Sequence, residues 1–160
     1  MTYVDSSALV PLYVPERFSA AARAAVQEAA QVPFTLVHRL EVPNAFELMV
    51  ARRLITAAER RSVLSQLQED IQAQRLVPIA LDLERAFTDA GELSKQYSAR
   101  WLARSLDLLH VASAHLAGCT SFVSADDRQL RVAQATGLTV VDIKRPRRGH
   151  RAAGRKHSSS

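Results

Sequence analysis

Short apolar segments alternate with longer segments of helical character along the chain. Five apolar segments are short enough to be buried strands: "TYV", "VPFTLV", "RLVPIAL", "TSFVS" and "LTVVDI". Between them lie alanine-rich stretches and stretches whose apolar residues recur at helical spacing. Short strands that alternate with helices are typical of a parallel sheet covered on both faces. The pattern therefore predicts an α/β fold in which helices flank a central parallel sheet of about five strands.

Local signals predict where several helices begin and end. Thr56 and Glu59 have the spacing of a capping box, so a helix is expected to begin after Thr56. Because proline fits best in the first turn of a helix, Pro43 predicts that its helix begins near Leu40. Glycine is a common residue at helix ends, and two glycines end the last two predicted helices: Gly118 and Gly137.

Composition narrows the class of protein. With 160 residues, of which 48% are hydrophobic, the chain is long enough for one domain with a substantial core. No apolar run approaches the ~20 residues needed to cross a bilayer, and the first residues lack the pattern of a secretory signal. The single cysteine, Cys119, excludes an internal disulfide and a cysteine-built metal site. We therefore expect a cytoplasmic protein without membrane association.

The positive charge of the chain is concentrated at one end. The net charge is +5, but residues 144–160 hold seven of the 21 Lys and Arg residues and no Asp or Glu. Residues 1–143 keep 14 basic and 16 acidic residues, a net charge of −2. The terminal segment lacks apolar periodicity, which predicts a disordered basic tail after a domain of residues 1–143. Such a tail can bind nucleic acid, or it can be solvated without a specific partner.

Four carboxylates stand near the ends of predicted strands or the beginnings of helices. Asp5 directly follows the first strand and Asp126 comes shortly after the fourth, so both are expected at the carboxyl edge of the sheet, where ligands bind. Glu41 follows the second strand, and Asp107 lies between leucines near the start of a helix predicted to be buried. Each has an ordinary explanation: Asp5 as a turn residue, and the other three as helix caps or helix-dipole partners. Four unpaired carboxylates in one pocket, however, would repel one another unless a cation were bound.

The chemistry predicted for such a pocket is that of a metal-dependent nuclease. Oxygen ligands suit hard divalent ions such as Mg²⁺ or Mn²⁺ rather than zinc. Ions of this kind activate water and stabilise a phosphate group under in-line attack. Two other classes that begin with a strand ending in Asp are disfavoured. An Asp-phosphorylating hydrolase needs a second Asp where Ser7 stands, and a response-regulator receiver needs an acidic pair before its Asp and a late Lys.

Four segments that contain these carboxylates resemble the four acidic motifs of PIN-domain ribonucleases. They are "YVDSSALVPL", "LVHRLEVPNAF", "RSLDLLHVASAHLAG" and "FVSADDRQLRVAQATGLTVV". The resemblance is greatest to the VapC toxins of bacterial VapBC toxin–antitoxin pairs, and it covers residues 2–141. It implies a PIN-like three-layer α/β/α sandwich.

The resemblance assigns the acidic positions residue by residue. Asp5 matches the first position and Glu41 the second. Asp107 matches the third, because it stands in a segment that resembles the family's Asp-x-x-His-x-Ala helix. Asp126 matches the fourth, and the adjacent Asp127 is the alternative for that position.

Other polar residues are predicted to support these carboxylates. Four of them lie close to a carboxylate in sequence and are expected to hold it or the metal's water: Ser6, Asn44, Arg104 and Ser124. His110 shares one helix face with Asp107, since it lies three residues later. We expect His110 to pack and hydrogen-bond beneath the site, with metal ligation as the alternative.

The resemblance also implies an activity and partners. It implies a Mg²⁺- or Mn²⁺-dependent endoribonuclease whose RNA products carry 5′-phosphate and 3′-hydroxyl ends. As the toxin of a type II toxin–antitoxin pair, the protein would form a homodimer and be held inactive by a cognate VapB-type antitoxin. The alternative is a PIN-like RNA-binding or RNA-processing domain without a toxin role.

Overall fold

The computed structural model describes residues 1–27, 29 and 31–145, in which strands and helices alternate. The strands are β1 (Thr2–Val4), β2 (Val32–Phe34), β3 (Leu76–Pro78), β4 (Ser121–Ser124) and β5 (Thr139–Asp142). The helices are α1 (Ser6–Tyr13), α2 (Ser19–Gln27), α3 (Leu36–Ala51), α4 (Ala57–Gln72), α5 (Leu83–Trp101), α6 (Ser105–Leu116) and α7 (Asp127–Ala135). The predicted α/β alternation with five strands is confirmed. Residues 146–160, most of the predicted basic tail, lie outside the described residues.

Every strand pairing among the described residues is parallel. β1, β4 and β5 form a sheet in that order, and β2 pairs with β3 beside β1. His38 connects the two sheets, because its Nε2 donates to the carbonyl oxygen of Val4 at 2.9 Å while its Nδ1 accepts the N–H of Thr35 at 3.0 Å. Burial lowers the pKa of His38, so the ring is neutral in this position. Parallel pairing places the carboxyl ends of β1 and β4 at the same edge.

Helices cover both faces of the sheet. Successive strand residues point to opposite faces, so Tyr3 and Phe122 pack against α5, α6 and α7, with their rings stacked 5.4 Å apart. Val4 and Val123 pack on the other face, against α1, α3 and α4. Two buried apolar clusters therefore enclose the strands, and the predicted three-layer sandwich is confirmed. Within the described residues, no helix is both long enough and apolar enough to cross a membrane.

The predicted capping and glycine signals agree with the observed helix ends. Thr56 Oγ1 accepts the N–H of Glu59 at 3.1 Å, and the Glu59 carboxylate accepts the N–H of Thr56 at 2.6 Å, which closes a capping box at the start of α4. Gly118 and Gly137 follow the ends of α6 and α7 with φ of 67° and 95°. Residues with side chains rarely adopt such values, so glycine ends both helices at low cost.

The prediction that α3 begins near Leu40 is wrong. The helix begins at Leu36, and Pro43 lies inside it. Proline in a helix interior removes one backbone hydrogen bond, at a cost of roughly 3 kcal/mol. The early start is favoured by the bond between His38 and Thr35 and by the burial of Val42. These tertiary contacts outweigh the local preference of Pro43.

Candidate active site

Asp5 lies where β1 ends and α1 begins. Its Oδ1 accepts the backbone N–H of Ala8 at 3.0 Å, so the side chain caps α1. The hydroxyl of Ser7 lies 2.8 and 3.0 Å from the two carboxylate oxygens, and Ser124 Oγ at the end of β4 donates to Oδ2 at 2.9 Å. The carboxylate is held by neutral donors alone, and the residue is 1% exposed.

Burial is the main influence on the charge of Asp5. It raises the pKa of the carboxyl from 3.8 to about 6, although the charge of His110 and the hydrogen bonds from Ser7 and Ser124 lower it. Within the described chain, no Lys or Arg side chain forms an ion pair with Asp5. A buried carboxylate without a positive partner is costly. This position therefore favours either a proton or a bound cation.

Ser6, which was predicted to support the site beside Asp5, contacts two other residues of the site, His110 and Glu41. Its hydroxyl lies 3.3 Å from Nε2 of His110, and Ser7 makes the contact with Asp5 instead. Consecutive helix positions are rotated by about 100°, so only one of the two serines can face Ser124. No pattern in the sequence distinguishes them, because the choice depends on where β4 lies.

His110 connects Glu41 to the core. The imidazole is fully buried on α6, with Nε2 2.5 Å from Glu41 Oε2 and Nδ1 2.9 Å from the Tyr3 hydroxyl. An ionised carboxylate only accepts hydrogen bonds, so Nε2 carries a proton in this pair. Partial burial raises the pKa of Glu41, but the hydrogen bond and charge of His110, aided by Ser6 and Arg104, hold it below its usual value. Glu41 is therefore ionised at neutral pH.

Asp107 is buried, with donors on both carboxylate oxygens. Its Oδ2 accepts the backbone N–H of Arg104 at 2.8 Å and the Nε of the same residue at 3.4 Å. Its Oδ1 accepts Nε2 of Gln129 at 3.2 Å, and Gln129 Oε1 is buried without a hydrogen-bond partner among the described residues. Gln129 was not predicted. The only hint in the sequence is its place in the first turn after Asp126.

Asp126 caps α7 and pairs with two arginines. It accepts the N–H of Arg128 at 2.8 Å, and the Arg128 guanidinium lies 3.1 Å from Oδ1 and 2.7 Å from Oδ2. Arg104 also reaches its Oδ2, at 3.7 Å. Partial burial raises the pKa of Asp126, but Arg128 and Arg104 hold it below its usual value. The expectation of four unpaired carboxylates is therefore wrong for three of them: arginines at the helix starts fold back onto Asp107 and Asp126, and Glu41 pairs with His110.

Asp127 faces away from these residues. Its side chain is 44% exposed and pairs with Lys144 at 3.0 Å and with Arg145 at 3.7 Å. Asp126, by contrast, shares Arg104 with Asp107. The geometry thus groups Asp126, rather than its neighbour, with the other predicted carboxylates.

Hydrogen bonds, ion pairs and the charge of His110 connect four of the predicted acidic residues into one network: Asp5, Glu41, Asp107 and Asp126. Ser124 Oγ, which donates to Asp5, accepts the N–H of Asp126 at 2.8 Å. Arg104 links Asp126 to Asp107. Glu41 joins through His110, whose charge also acts on Asp5. The structure brings the four residues to one edge of the sheet.

A cleft of about 410 Å³ lies next to this network, between α1 and α3. Glu41 and the predicted Asn44 line it together with the apolar side chain of Leu48. Glu16, which follows α1 and belongs to none of the predicted motifs, lines the same cleft. Burial raises the pKa of Glu16. The α1–α3 side of the site is therefore acidic and partly apolar.

The donor set of the site fits a hard divalent cation in its chemistry, because it consists of oxygen atoms. Two observations among the described residues are consistent with such an ion: the buried Asp5 accepts hydrogen bonds from neutral donors only, and Oε1 of Gln129, beside Asp107, is buried without a partner there. In the described part of the chain, however, no three His, Cys, Asp or Glu side chains lie close enough together to form a ready-made metal site. Arg104 lies among the carboxylates instead, so a bound ion would have to displace its guanidinium.

Comparison with known proteins gives one family and several structures of the same fold. The family model of the PIN domain matches residues 2–135. A comparison with curated protein sequences gave no match. The structure is similar to FitAcB from Neisseria gonorrhoeae, with a TM-score of 0.64 and 14% identity over 90% of this chain and 99% of that chain.

Two further solved structures share the fold. VapBC2 from Rickettsia felis, solved bound to a DNA fragment from its promoter, has a TM-score of 0.60 and 15% identity over 89% of this chain and 98% of that chain. PAE2754 from Pyrobaculum aerophilum has a TM-score of 0.50 and 16% identity over 89% of each chain. At such low identity, these structures show a common architecture.

Proposed function

Because the chain belongs to the PIN-domain family, we propose that it is a divalent-metal-dependent endoribonuclease and the toxin of a type II toxin–antitoxin pair. The resemblance of its four acidic motifs to those of VapC toxins supports the proposal, as does the fold shared with FitAcB and VapBC2. The observation that carries it is the environment of Asp5. This buried carboxylate has neutral hydrogen-bond donors and no arginine or lysine partner among the described residues, at the edge where three other carboxylates meet.

The metal-binding residues in this proposal are the four acidic residues of the network, with Asp5 and Asp107 as the central pair. Mg²⁺ or Mn²⁺ held there would supply Lewis-acid stabilisation of the phosphate and would lower the pKa of water. Ser7 and Ser124 orient the Asp5 carboxylate, and Gln129 orients that of Asp107. Their hydrogen bonds fix the oxygen positions before a ligand arrives, which lowers the cost of binding.

His110 has a supporting role in the same proposal. Its bond to Glu41 keeps that carboxylate ionised and directed toward the site. Its contact with the buried Tyr3 fixes the ring from the other side. Both ring nitrogens are thus engaged within the protein, which argues against His110 as a metal ligand. RNA cleavage in this scheme uses water as the nucleophile, and its products carry 5′-phosphate and 3′-hydroxyl ends.

The proposed partners follow from the same family resemblance. We expect a homodimer and a cognate VapB-type antitoxin that keeps the enzyme inactive. Growth arrest on expression, relieved by co-expression of the protein encoded in the adjacent reading frame, tests the toxin role. A PIN-like RNA-processing domain without a toxin role would cleave RNA but would not arrest growth in this way.

Incubation of the purified protein with total RNA, with and without Mn²⁺, tests the enzymatic activity. We expect discrete cuts only with the metal, and ligation-based mapping should find 5′-phosphate ends. Cuts with 2′,3′-cyclic phosphate ends, or cleavage that persists in EDTA, would contradict the proposed chemistry. Absence of both cleavage and Mn²⁺ binding would instead indicate a PIN domain that binds RNA without cutting it.

A further inference from the structure

We propose that Arg104 is a substrate-binding residue, whose guanidinium holds an RNA phosphate beside the site once a divalent ion has taken over the carboxylates. The inference rests on the proposed function, because it presumes an RNA substrate and a metal. Arg104 is the residue before α6, and its backbone N–H is fixed by Asp107 at 2.8 Å. The backbone end of the side chain is therefore fixed at the edge of the acidic network. The Arg104 side chain as a whole is 68% exposed.

The contacts of the Arg104 guanidinium are long. Its Nε lies 3.4 Å from Asp107 Oδ2, and its terminal nitrogen lies 3.7 Å from Asp126 Oδ2. Arg128, in contrast, reaches Asp126 at 2.7 and 3.1 Å and is only 36% exposed. Its long distances and mostly exposed side chain make the Arg104 pairs weaker than a close ion pair. Arg104 is therefore less tightly bound to Asp107 and Asp126 than Arg128 is to Asp126.

The charges around Arg104 explain why such a residue is needed. Its positive charge acts on Glu41 and Asp126 and lies against Asp107. An RNA phosphate that approaches these carboxylates is repelled unless a positive group meets it. A divalent ion bound by the carboxylates would weaken their attraction for Arg104 and free its nitrogens. The planar guanidinium presents paired N–H donors that match the oxygens of a phosphate.

The competing explanation is that Arg104 only balances the charge of Asp107 and Asp126. A charge-balancing residue would affect metal binding and stability, but not the affinity for RNA once metal is bound. Arg75 provides a matched control for the loss of one arginine. It is 63% exposed, pairs with Asp70, and lies directly before β3, at the opposite edge of the strands from the site.

Arg104→Gln, Arg104→Lys and Arg75→Gln of the full chain would be compared by fluorescence anisotropy with a short fluorescein-labelled single-stranded RNA of mixed sequence. Titrations in Ca²⁺ would be repeated over a range of KCl concentrations, with the RNA checked on a gel for intactness. Calorimetric titration with Mn²⁺ alone would give the metal affinity.

We expect Arg104→Gln to lower RNA affinity about tenfold. It should also reduce the slope of log affinity against log salt concentration by about 0.7, and Mn²⁺ affinity should be unchanged or tighter. Arg104→Lys should keep the slope and recover part of the affinity, and Arg75→Gln should match the wild type.

Two outcomes would overturn the inference: RNA affinity of Arg104→Gln equal to that of Arg75→Gln, or a loss of RNA affinity that only accompanies a loss of Mn²⁺ affinity. The second outcome would make Arg104 a residue that positions the metal ligands. Failure of the proposed function has a different signature. In that case the wild type cuts no RNA in Mn²⁺, whatever the binding titrations show.

Discussion

Asp5 and Asp107 are almost equally buried, with 1% and 3% of their surface exposed, but their partners differ. Asp5 has hydroxyl and amide donors and, among the described residues, no arginine or lysine partner, and burial raises its pKa to about 6. Asp107 contacts the guanidinium of Arg104 and the amide of Gln129. The α1–α3 half of the site thus holds, at Asp5, a buried carboxylate without an arginine or lysine partner among the described residues, whereas the α6–α7 half supplies its own arginines.

This difference indicates at which carboxylate a bound cation would be most stabilising and at which it would compete with an arginine side chain. A cation at Asp5 would relieve the cost of a buried charge, and no arginine or lysine of the described residues forms an ion pair with this carboxylate. At Asp107 and Asp126 the same cation would compete with Arg104. Matched substitutions in the two halves are therefore expected to differ in their effects on cleavage, stability and metal binding.

The largest expected effect is that of Asp5→Asn on RNA cleavage. The substitution keeps the helix cap, since Asn is also a favoured capping residue, but removes the charge that would bind the metal. We expect Mn²⁺-dependent cleavage to fall by a hundredfold or more, on the order of the loss of one key electrostatic group. Asp82→Asn is the matched control, because Asp82 caps α5 with the same type of bond at an exposed position. Equal cleavage rates for the two variants would show that Asp5 is not part of the catalytic site.

Asp5→Asn should also raise the stability of the metal-free protein. The pKa of Asp5 is about 6 when folded, above its ordinary 3.8, so the folded state binds the proton more tightly than the unfolded state does. The stability contributed by this group is complete below pH 3.8 and is lost as the pH rises through about 6. Two pKa units correspond to up to about 3 kcal/mol. Urea unfolding without metal should show the variant to be more stable than the wild type at pH 7.5 but not at pH 3.5, and a difference independent of pH would contradict the burial argument.

Glu41→Gln and Asp126→Asn compare one charge pair from each half. Glu41 pairs with His110, whose side chain is 1% exposed, whereas the arginines of Asp126 are 36% and 68% exposed. We expect the loss of charge at Glu41 to cost about 1–3 kcal/mol of unfolding free energy, and that at Asp126 less than about 1 kcal/mol. Added salt should weaken the Asp126 pair and leave the buried pair almost unchanged. Similar costs with similar salt dependence would show that the two halves are not electrostatically distinct.

Features set by local sequence were predictable. The short apolar segments around Tyr3 and Phe122 became adjacent parallel strands, and glycine ended α6 and α7. Parallel strands bring their carboxyl ends to the same edge, so the location of Asp5 and Asp126 at one edge follows once the strands are recognised as parallel. It is a consequence of strand direction.

Features set by long-range contacts were not predictable. The hydrogen bond from Ser124 to Asp5 joins residues 119 positions apart. The start of α3 depends on a buried contact of His38, which overrides the local signal of Pro43. Gln129 entered the site because α7 packs beside α6. Each of these outcomes depends on which side of a helix faces its neighbour, and composition alone does not contain that information.

The smallest expected effect separates the two serines that follow Asp5. Ser7 contacts both oxygens of Asp5 and lowers its pKa, whereas Ser6 lies 3.3 Å from His110. Ser7→Ala should therefore raise the pKa of Asp5 further and weaken Mn²⁺ binding near pH 6 by less than about tenfold, the worth of one hydrogen bond to a charged group. Ser6→Ala should leave Mn²⁺ binding near the wild-type value, because its neighbour Glu41 keeps the bond from His110.

Calorimetric Mn²⁺ titrations at pH 6 and pH 8 would measure the Mn²⁺ affinity of both variants. The loss of affinity in Ser7→Ala should be smaller at the higher pH, where Asp5 is ionised in the variant and in the wild type. A larger loss for Ser6→Ala than for Ser7→Ala would show that the metal depends more on Glu41 than on Asp5.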